Sequence, residues 1–239
     1  MQTKCILFDM DGTLLPMDAA VFARTYFKLL TKKMLPHGYE PEAIINGINA
    51  GITATQTNDG TQTNEELFWE YFIKTTGERV CADRAIFEDF YAVDFQRISS
   101  SCGFAAQAKE TVALCKELGF RVVIATEPIF PLIAMESRLR WAGVDPSEAE
   151  FITSYETSHY CKPDLGYYRE VAERLGVQPE ECAMVGNDVG EDMPAGDLGM
   201  KLFLLTDCLI NKKNADINQW EHGGFGKLQS WLRSLKNGE

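Results

Sequence analysis

The sequence predicts an α/β fold, in which a doubly wound parallel sheet carries an inserted, mainly helical domain. Short apolar runs recur along the chain without polar alternation, as in strands that are buried on both faces of a parallel sheet. Helical patterns separate the later runs, which is the order that βαβ units produce. The connection between the first two runs is as long as a small domain, and this indicates the insertion.

The predicted sheet has five strands, each rich in apolar residues and only a few residues long. They are Lys4–Phe8, Arg121–Ala125, Glu150–Thr153, Ala183–Val185 and Leu202–Leu205. Three helices are predicted between them, and each is followed by a glycine that can end a helix. These helices are Phe104–Leu118, Pro131–Ala142 and Leu165–Leu175.

The insertion is predicted to span residues 17–99, and the core to comprise residues 1–16 and 100–239. A parallel crossover needs only about a dozen residues, so the chain after Leu15 is far longer than the connection requires. The insertion contains three helical patterns and one polar stretch that is expected to be a loop. The helices are Ala20–Leu30 after an Asp18 cap, Glu65–Lys74 after a Thr63–Glu66 capping box, and Arg84–Phe95, and the loop is Gly51–Asn64.

This insertion would lie above the carboxyl ends of the strands, where open α/β sheets bind ligands. It is therefore interpreted as a lid over a binding site. The alternative is that its helices simply extend the core, but connections of this length are usually functional.

Composition excludes several classes of function. The formal net charge is −12 and no basic stripe is present, so a nucleic acid polymer is not an expected partner. The seven cysteines include no C-x-x-C pair, which favours reduced thiols and a cytoplasmic location. No leader and no apolar stretch of about 18 residues is visible, so neither secretion nor a membrane span is expected.

Two carboxylates, Asp9 and Asp11, follow the first predicted strand directly. Gly12 comes next and allows a tight turn with close approach of the backbone to a ligand. Two acids at one strand end repel each other unless they share a cation or a proton. The pair therefore indicates a hard divalent cation that prefers oxygen ligands, and Mg²⁺ is the expected one.

Three later segments place further polar residues at or just after predicted strand ends. Thr126 follows the second strand and offers a hydroxyl group, and Lys162 follows the third strand and offers a cation. Asp188 and Asp192 follow the fourth strand and offer two more carboxylates. Because these ends meet at one edge of a parallel sheet, the residues are expected to converge on one site.

These segments together resemble the four ordered motifs of the haloacid dehalogenase superfamily, whose core is Rossmann-like. The matching residues are Asp9-Met10-Asp11-Gly12-Thr13, Thr126, Lys162-Pro163 and Gly186-Asn187-Asp188-x-x-x-Asp192. The insertion between the first two motifs resembles the helical cap of one subclass. Two positions depart from the usual pattern: Glu127 stands where relatives often have asparagine, and Asn187 separates Gly186 from Asp188.

The resemblance implies a role for each matching residue. Asp9 would attack phosphorus, and Asp11 would protonate the leaving group and then activate water. Thr126 and Lys162 would stabilise the charge of the phosphoryl group. Mg²⁺ would be held by Asp9, Asp188 and the backbone carbonyl group of Asp11, with Asp192 orienting the groups around it. Members that release halide lack the second carboxylate, so Asp11 favours phosphatase chemistry over dehalogenation.

The expected function is therefore magnesium-dependent hydrolysis of a small phosphorylated metabolite through an aspartyl-phosphate intermediate. Two alternatives stay open at this point. A phosphomutase would use the same site but return the phosphoryl group to its substrate. A receiver-like regulatory module would only accept phosphate, but receivers place their acidic pair and phosphoacceptor on different strands and have no long insertion. The sequence specifies neither the substrate nor the oligomeric state.

Overall fold

The fold is a five-stranded parallel sheet with helices on both faces and a helical insertion after the first strand. A computed structural model describes residues 2–237, so Met1, Gly238 and Glu239 of the predicted core lie outside the described residues. The strand order is β2-β1-β3-β4-β5, and every neighbouring pair is parallel. The strands are β1 Cys5–Phe8, β2 Arg121–Ile124, β3 Cys182–Gly186, β4 Lys201–Leu205 and β5 Glu221–Gly223. The predicted fold class is confirmed.

Two details of the sheet differ from the prediction. The segment Glu150–Thr153 is not a strand, because it pairs with β2 only through a bridge between Ile152 and Ile124. It runs beside β2 at the sheet edge, where the Thr153 amide donates to the Ile124 carbonyl group at 2.9 Å. The fifth strand is instead β5 at the opposite edge, which the apolar pattern missed because its sequence, Glu-His-Gly, is polar.

Helices cover both faces of the sheet, and alternate strand residues belong to opposite layers, as the pleat requires. In β1, Ile6 and Phe8 pack into one apolar cluster, and Cys5 and Leu7 pack into another. Three helices contribute to the first cluster: α6 Ala106–Glu117, α7 Leu132–Trp141 and α9 Phe225–Asn237. The second cluster contains residues of α8 Leu165–Leu175, which begins and ends at the predicted residues. The sheet is thus buried on both faces.

The insertion is helical and has an apolar cluster of its own. Its α-helices are α1 Ala19–Met34, α2 Pro41–Thr55, α3 Asn64–Thr76, α4 Arg79–Ala82 and α5 Arg84–Asp89. Asp18 caps α1 and the Thr63–Glu66 capping box begins α3, as predicted. The prediction of a loop over Gly51–Asn64 is wrong in part, because α2 continues to Thr55. The α-helix predicted over Arg84–Phe95 ends at Asp89. The chain then forms a π-helical turn, Phe90–Asp94, and a 3₁₀ helix, Phe95–Ser101.

The chain enters and leaves the insertion through two adjacent segments. Met17 and Cys102 form an antiparallel bridge, and the amide of Gly103 donates to the carbonyl group of Pro16 at 2.6 Å. The residues at which the insertion begins and ends as a domain, 17 and 99, stay a prediction.

The seven cysteines form no disulfide bond, and Cys5, Cys115, Cys161 and Cys182 are buried. Among residues 2–237, no helix combines the length and the apolar character that crossing a bilayer requires.

Candidate active site

Neighbouring strands β1 and β3 bring the first and fourth motifs together. The amide of Asp9 donates to the carbonyl group of Val185 at 2.9 Å, so Asp9 leaves the sheet beside the loop that contains Asn187. Gly12 closes the turn after Asp9 with a φ of +83°, and a Cβ atom there would overlap the side chain of Asn187. Glycine is therefore required at position 12 for both its backbone angle and its lack of a side chain.

Asp9 is 7% exposed and both of its carboxylate oxygens have polar neighbours. The ammonium group of Lys162 donates to Asp9 Oδ1 at 2.9 Å and to Asp192 Oδ1 at 2.7 Å. The hydroxyl group of Thr13 donates to Asp9 Oδ2 at 3.1 Å, and it lies 2.8 Å from the amide oxygen of Asn187. Three of the predicted residues, Asp9, Lys162 and Asp192, are thus in direct contact.

Lys162 remains charged in this environment. Burial by itself would lower the pKa of its ammonium group, but the carboxylates of Asp192 and Asp9 reverse that effect and hold this pKa well above its ordinary value. Lys162 follows the third predicted segment, and it reaches the strand ends from a loop whose Lys162–Pro163 peptide bond is cis. A buried cation with two carboxylate partners is placed to neutralise an additional anionic group beside Asp9.

Asp188 and Asp192 have different surroundings although they lie in one loop. Asp188 Oδ1 accepts hydrogen bonds from the amides of Gly190 at 2.7 Å and Glu191 at 3.2 Å. Asp192 is fully buried, and its second oxygen accepts from the amide of Asp188 at 2.9 Å. Asp192 therefore joins Lys162 to the backbone of the Asp188 loop.

The side chain of Asp11 pairs with a buried arginine of α7. Its Oδ2 forms an ion pair with the guanidinium group of Arg138, which is 2% exposed. That guanidinium group lies 5.2 Å from the ring centroids of both Phe22, in α1, and Phe130. Burial lowers the pKa of Arg138 to about 10, so the group is still charged at neutral pH. Asp11 thus lies at the boundary between the core and the insertion.

Arg138 is a site residue that the sequence analysis missed. Its neighbours on the buried side of α7 include Ala134, Met135 and Leu139. The sequence contained one indication of this role: Arg138 interrupts an apolar helix face. A charged residue in such a place needs a buried partner. The four motifs contain no basic residue at this position, so the resemblance gave no reason to single it out.

Thr126 lies at the end of β2, beside β1, where the amide of the preceding Ala125 donates to the carbonyl group of Phe8 at 2.7 Å. The backbone of Thr126 is held firmly, since its carbonyl group accepts from the hydroxyl groups of Thr153 at 2.7 Å and Tyr167 at 2.9 Å. The next residue, Glu127, accepts from the amide of Lys162 at 3.0 Å. Burial raises the pKa of Glu127 to about 7, against the opposing charge of Lys162.

The oxygen groups around Asp9 have the chemistry of a magnesium site. Within residues 2–237, no three His, Cys, Asp or Glu side chains are grouped as a metal site, but the implied ligand set contains only two carboxylates and one carbonyl group. Those carboxylates, Asp9 and Asp188, follow the ends of the neighbouring strands β1 and β3. Asp11 Oδ1 is buried without a hydrogen-bond partner, so the site has an unsatisfied acceptor. Hard oxygen donors of this kind fit Mg²⁺.

Part of the chain is similar to a characterised phosphatase. Over 131 residues it is 28% identical to the glyceraldehyde 3-phosphate phosphatase of Methanocaldococcus jannaschii, and the match covers 54% of each protein. The chain therefore spans about half the length of this curated relative.

Solved structures show the same fold at low sequence identity. The HAD phosphatase from Thermococcus onnurineus matches with a TM-score of 0.58 and 17% identity, covering 96% of this chain and 98% of that one. A predicted phosphoglycolate phosphatase from Haemophilus somnus matches with a TM-score of 0.58 and 16% identity, covering 97% and 98%. The defluorinating L-2-haloacid dehalogenase Rha0230 also has a TM-score of 0.58, at 14% identity and with 97% and 95% covered.

These structures therefore agree in fold while their names differ in chemistry. The family model of haloacid dehalogenase-like hydrolases matches residues 3–197, which include all four motifs and the whole insertion. The chain belongs to the haloacid dehalogenase-like hydrolase family.

Proposed function

We propose that this protein is a magnesium-dependent phosphatase that hydrolyses a small phosphorylated metabolite through a phosphoaspartate on Asp9. The observation that carries the proposal is the contact of Lys162 with Asp9 at 2.9 Å, together with the presence of a second carboxylate two residues further on. The partial similarity to a glyceraldehyde 3-phosphate phosphatase supports phosphate ester hydrolysis.

In the first step, a carboxylate oxygen of Asp9 attacks phosphorus while the bond from phosphorus to the ester oxygen breaks. The leaving oxygen takes a proton from the carboxylic acid form of Asp11, which has to give up its ion pair with Arg138 to hold that proton. In the second step, Asp11 takes a proton from water, and the resulting hydroxide attacks phosphorus and releases Asp9 as a carboxylate. Lys162 and the hydroxyl group of Thr126 stabilise the charge on the phosphoryl oxygens in both steps.

Mg²⁺ would be held by Asp9, Asp188 and the backbone carbonyl group of Asp11. When bound, it supplies positive charge that lowers the repulsion between the Asp9 carboxylate and an incoming phosphate. Asp192 contributes through its contacts with Lys162 and with the amide of Asp188, which fix both groups before substrate arrives.

We also propose that residues 17–99 act as a cap domain that closes on the core and excludes water during the first step. The paired segments at Pro16 and Gly103 support a hinge at this junction. Free thiols and the lack of a membrane-spanning helix in residues 2–237 support a cytoplasmic location.

The test is a panel of phosphate esters assayed for release of inorganic phosphate with Mg²⁺, with Ca²⁺ and with excess chelator. We expect release with Mg²⁺, weak release with Ca²⁺, whose looser coordination misplaces the nucleophile, and none with chelator. Full activity in chelator would contradict the metal site. Interconversion of phosphorylated isomers without phosphate release would show a mutase instead.

A further inference from the structure

A second feature of the junction between insertion and core is a partly open cavity of about 230 Å³. It lies among α1, α3, α5 and the loop after β2, and neither Asp9 nor Lys162 lines it. Cavities of about 150 Å³ are large enough for benzene, so this one accommodates a somewhat larger organic molecule. Seven aromatic residues contribute to its wall: Tyr26, Phe68, Trp69, Phe87, Tyr91, Phe130 and Tyr155.

The charged residues of the cavity wall are mainly acidic. Glu65, Glu88 and Glu156 line it, and Arg84 is the one basic residue among the lining groups. Burial raises the pKa of Glu65, and the nearby charge of Glu156 raises it further. Carboxylates and aromatic rings both attract cations, so this wall favours a positively charged guest over a neutral one.

The protein already places a cation of its own against this wall. The guanidinium group of Arg84 lies 4.1 Å from the ring centroid of Trp69, and its Nη1 is 3.9 Å from Glu65 Oε1. Arg84 is exposed, so it occupies the rim rather than the interior. A ligand cation would compete with Arg84 for the same ring and the same carboxylate.

The indole N–H group of Trp69 is a hydrogen-bond donor that a ligand in the cavity can use. The indole Nε1 is buried in a residue that is 7% exposed, and the Tyr155 hydroxyl group close to it does not reach good hydrogen-bond geometry. A buried donor without a good partner is unfavourable unless a ligand or water satisfies it. An oxygen acceptor on the ligand would meet this need.

We propose that this cavity binds an organic cation, namely an alkylated ammonium group that also carries an oxygen acceptor. The cation would come from one of two sources, a free ion or the leaving group of a phosphate ester. The second source rests on the proposed phosphatase function, and Phe130 supports it. Phe130 lines the cavity and also lies 5.2 Å from the guanidinium group of Arg138, which pairs with Asp11.

The test is calorimetric binding of choline to the whole protein without metal or substrate, so it does not depend on catalysis. The neutral isostere 3,3-dimethylbutan-1-ol is the matched ligand. We expect choline to bind at least about tenfold more tightly, because only the cation gains from the rings and carboxylates.

Two rim variants have opposite expected effects. Arg84→Gln removes the competing cation and should tighten choline binding by roughly three- to tenfold, and Glu88→Gln should weaken it by a similar factor. Glu70→Gln removes an exposed charge of α3 outside the cavity, so it should change nothing. Equal binding of the isostere, no saturable choline binding by about 10 mM, or unchanged affinity in both rim variants would each overturn the proposal.

Kinetics then distinguish the two sources. If the cavity holds a leaving group, choline inhibits hydrolysis of nitrophenyl phosphate competitively, and phosphocholine exceeds 3,3-dimethylbutyl phosphate in kcat/KM. If the cavity takes a free ion, choline binds without competition and the two esters react alike. An inactive enzyme that still binds choline would contradict the phosphatase proposal alone.

Discussion

Asp9 and Asp11 have the same side chain, but they differ in what surrounds them. Asp9 is buried against the ammonium group of Lys162 and the hydroxyl group of Thr13. The side chain of Asp11 is 32% exposed and pairs with Arg138 of α7, which also contacts Phe22 of the insertion. A carboxylate that is held on the core side suits attack on phosphorus, whereas one at the insertion suits proton exchange with the leaving group.

The first prediction separates these two roles. Asp9→Asn should abolish turnover and form no covalent intermediate, because an amide is not a nucleophile. Asp11→Asn should slow turnover by about 10²- to 10⁴-fold, the usual contribution of a general acid–base. The loss should be smaller for nitrophenyl phosphate, whose leaving group needs little protonation.

Intact mass after a rapid acid quench measures the outcome. With nitrophenyl phosphate, an added phosphoryl group should accumulate in Asp11→Asn, since the hydrolysis of the acyl phosphate is also slowed. A phosphorylated Asp9→Asn enzyme would show that the roles are reversed.

The second prediction concerns the stability of the Asp11–Arg138 pair. Asp11→Asn removes the ion-pair partner of the Arg138 guanidinium group, which is 2% exposed and then keeps only the charge of Asp9. This should lower the free energy of unfolding by about 2–3 kcal/mol. Arg138→Met should cost less, because the Asp11 side chain is 32% exposed and water can reach its Oδ2 once the guanidinium group is gone. In the double variant the effect of Asp11→Asn should largely disappear.

Urea unfolding of the wild type, both single variants and the double variant measures this coupling. Effects that add to within about 0.5 kcal/mol would mean that the two side chains do not interact. The same data show how much of the activity loss in Asp11→Asn comes from reduced stability.

At the scale of elements, the loop after β2 contains a carboxyl group that favours its protonated form. The pKa of Glu127 rises from an ordinary 4.5 to about 7, mainly through burial. Between these two pH values the folded protein binds more protons than the unfolded chain, so the free energy of unfolding falls as pH rises through this window.

The third prediction follows from this fall in the free energy of unfolding with rising pH. Glu127→Gln keeps an oxygen that accepts from the amide of Lys162 but removes the ionisation, so it should be more stable than the wild type at pH 8 by about 2–3 kcal/mol. At pH 4.5 the difference should vanish. Thermal unfolding across pH 4.5–8 measures it, and a constant difference at all pH values would contradict the raised pKa.

The sequence was most informative where one local signal decides the structure. Helix α8 begins and ends as predicted because Asp164 caps its start and Gly176, with a φ of +67°, ends it. Strand β5 was missed since its pairing with β4 depends on tertiary context rather than on apolar residues. The bridge at Ile152 shows the converse, because an apolar run at the sheet edge formed too few pairs to make a strand.

The same distinction applies to the site. Asp9, Lys162 and Asp192 are in contact as the motif order suggested, since parallel strands end at one edge of the sheet. The pairing of Asp11 with Arg138 was not predictable, because it depends on how α7 packs against the insertion. No local sequence pattern around position 138 indicates which residue pairs with Arg138.

For the molecule as a whole, part of the contact between the insertion and the core is made at the loops that contain the site residues. Asn64, the first residue of α3, is fully buried. Its amide group donates to the carbonyl groups of Pro128 at 3.2 Å and Tyr160 at 3.3 Å, each two residues from Thr126 or Lys162. The first turn of α3 is therefore hydrogen-bonded directly to the loops that hold these two residues.

The insertion and the core approach each other closely at Gly60. It has a φ of +86°, and a Cβ atom there would overlap the phenol group of Tyr160. Gly38, also in the insertion, has a similar φ of +80°, but its Cβ atom would lie 3.4 Å from the flexible side chain of Arg79. Alanine should cause comparable backbone strain at both positions, of the order of 1 kcal/mol, but only Gly60→Ala should hold the insertion away from the core.

The last prediction uses this pair of glycines to test closure. Gly60→Ala should lower kcat/KM by roughly ten- to a hundredfold, because the loops of Thr126 and Lys162 lose their contact with the insertion. Gly38→Ala should lose similar thermal stability but keep wild-type kcat/KM. Adding Tyr160→Ala should restore much of the activity of Gly60→Ala, since it removes the obstructing ring. Steady-state kinetics and melting temperatures measured side by side decide the matter. If both glycine variants lost activity equally, or if Tyr160→Ala gave no recovery, backbone strain rather than incomplete closure would explain the loss.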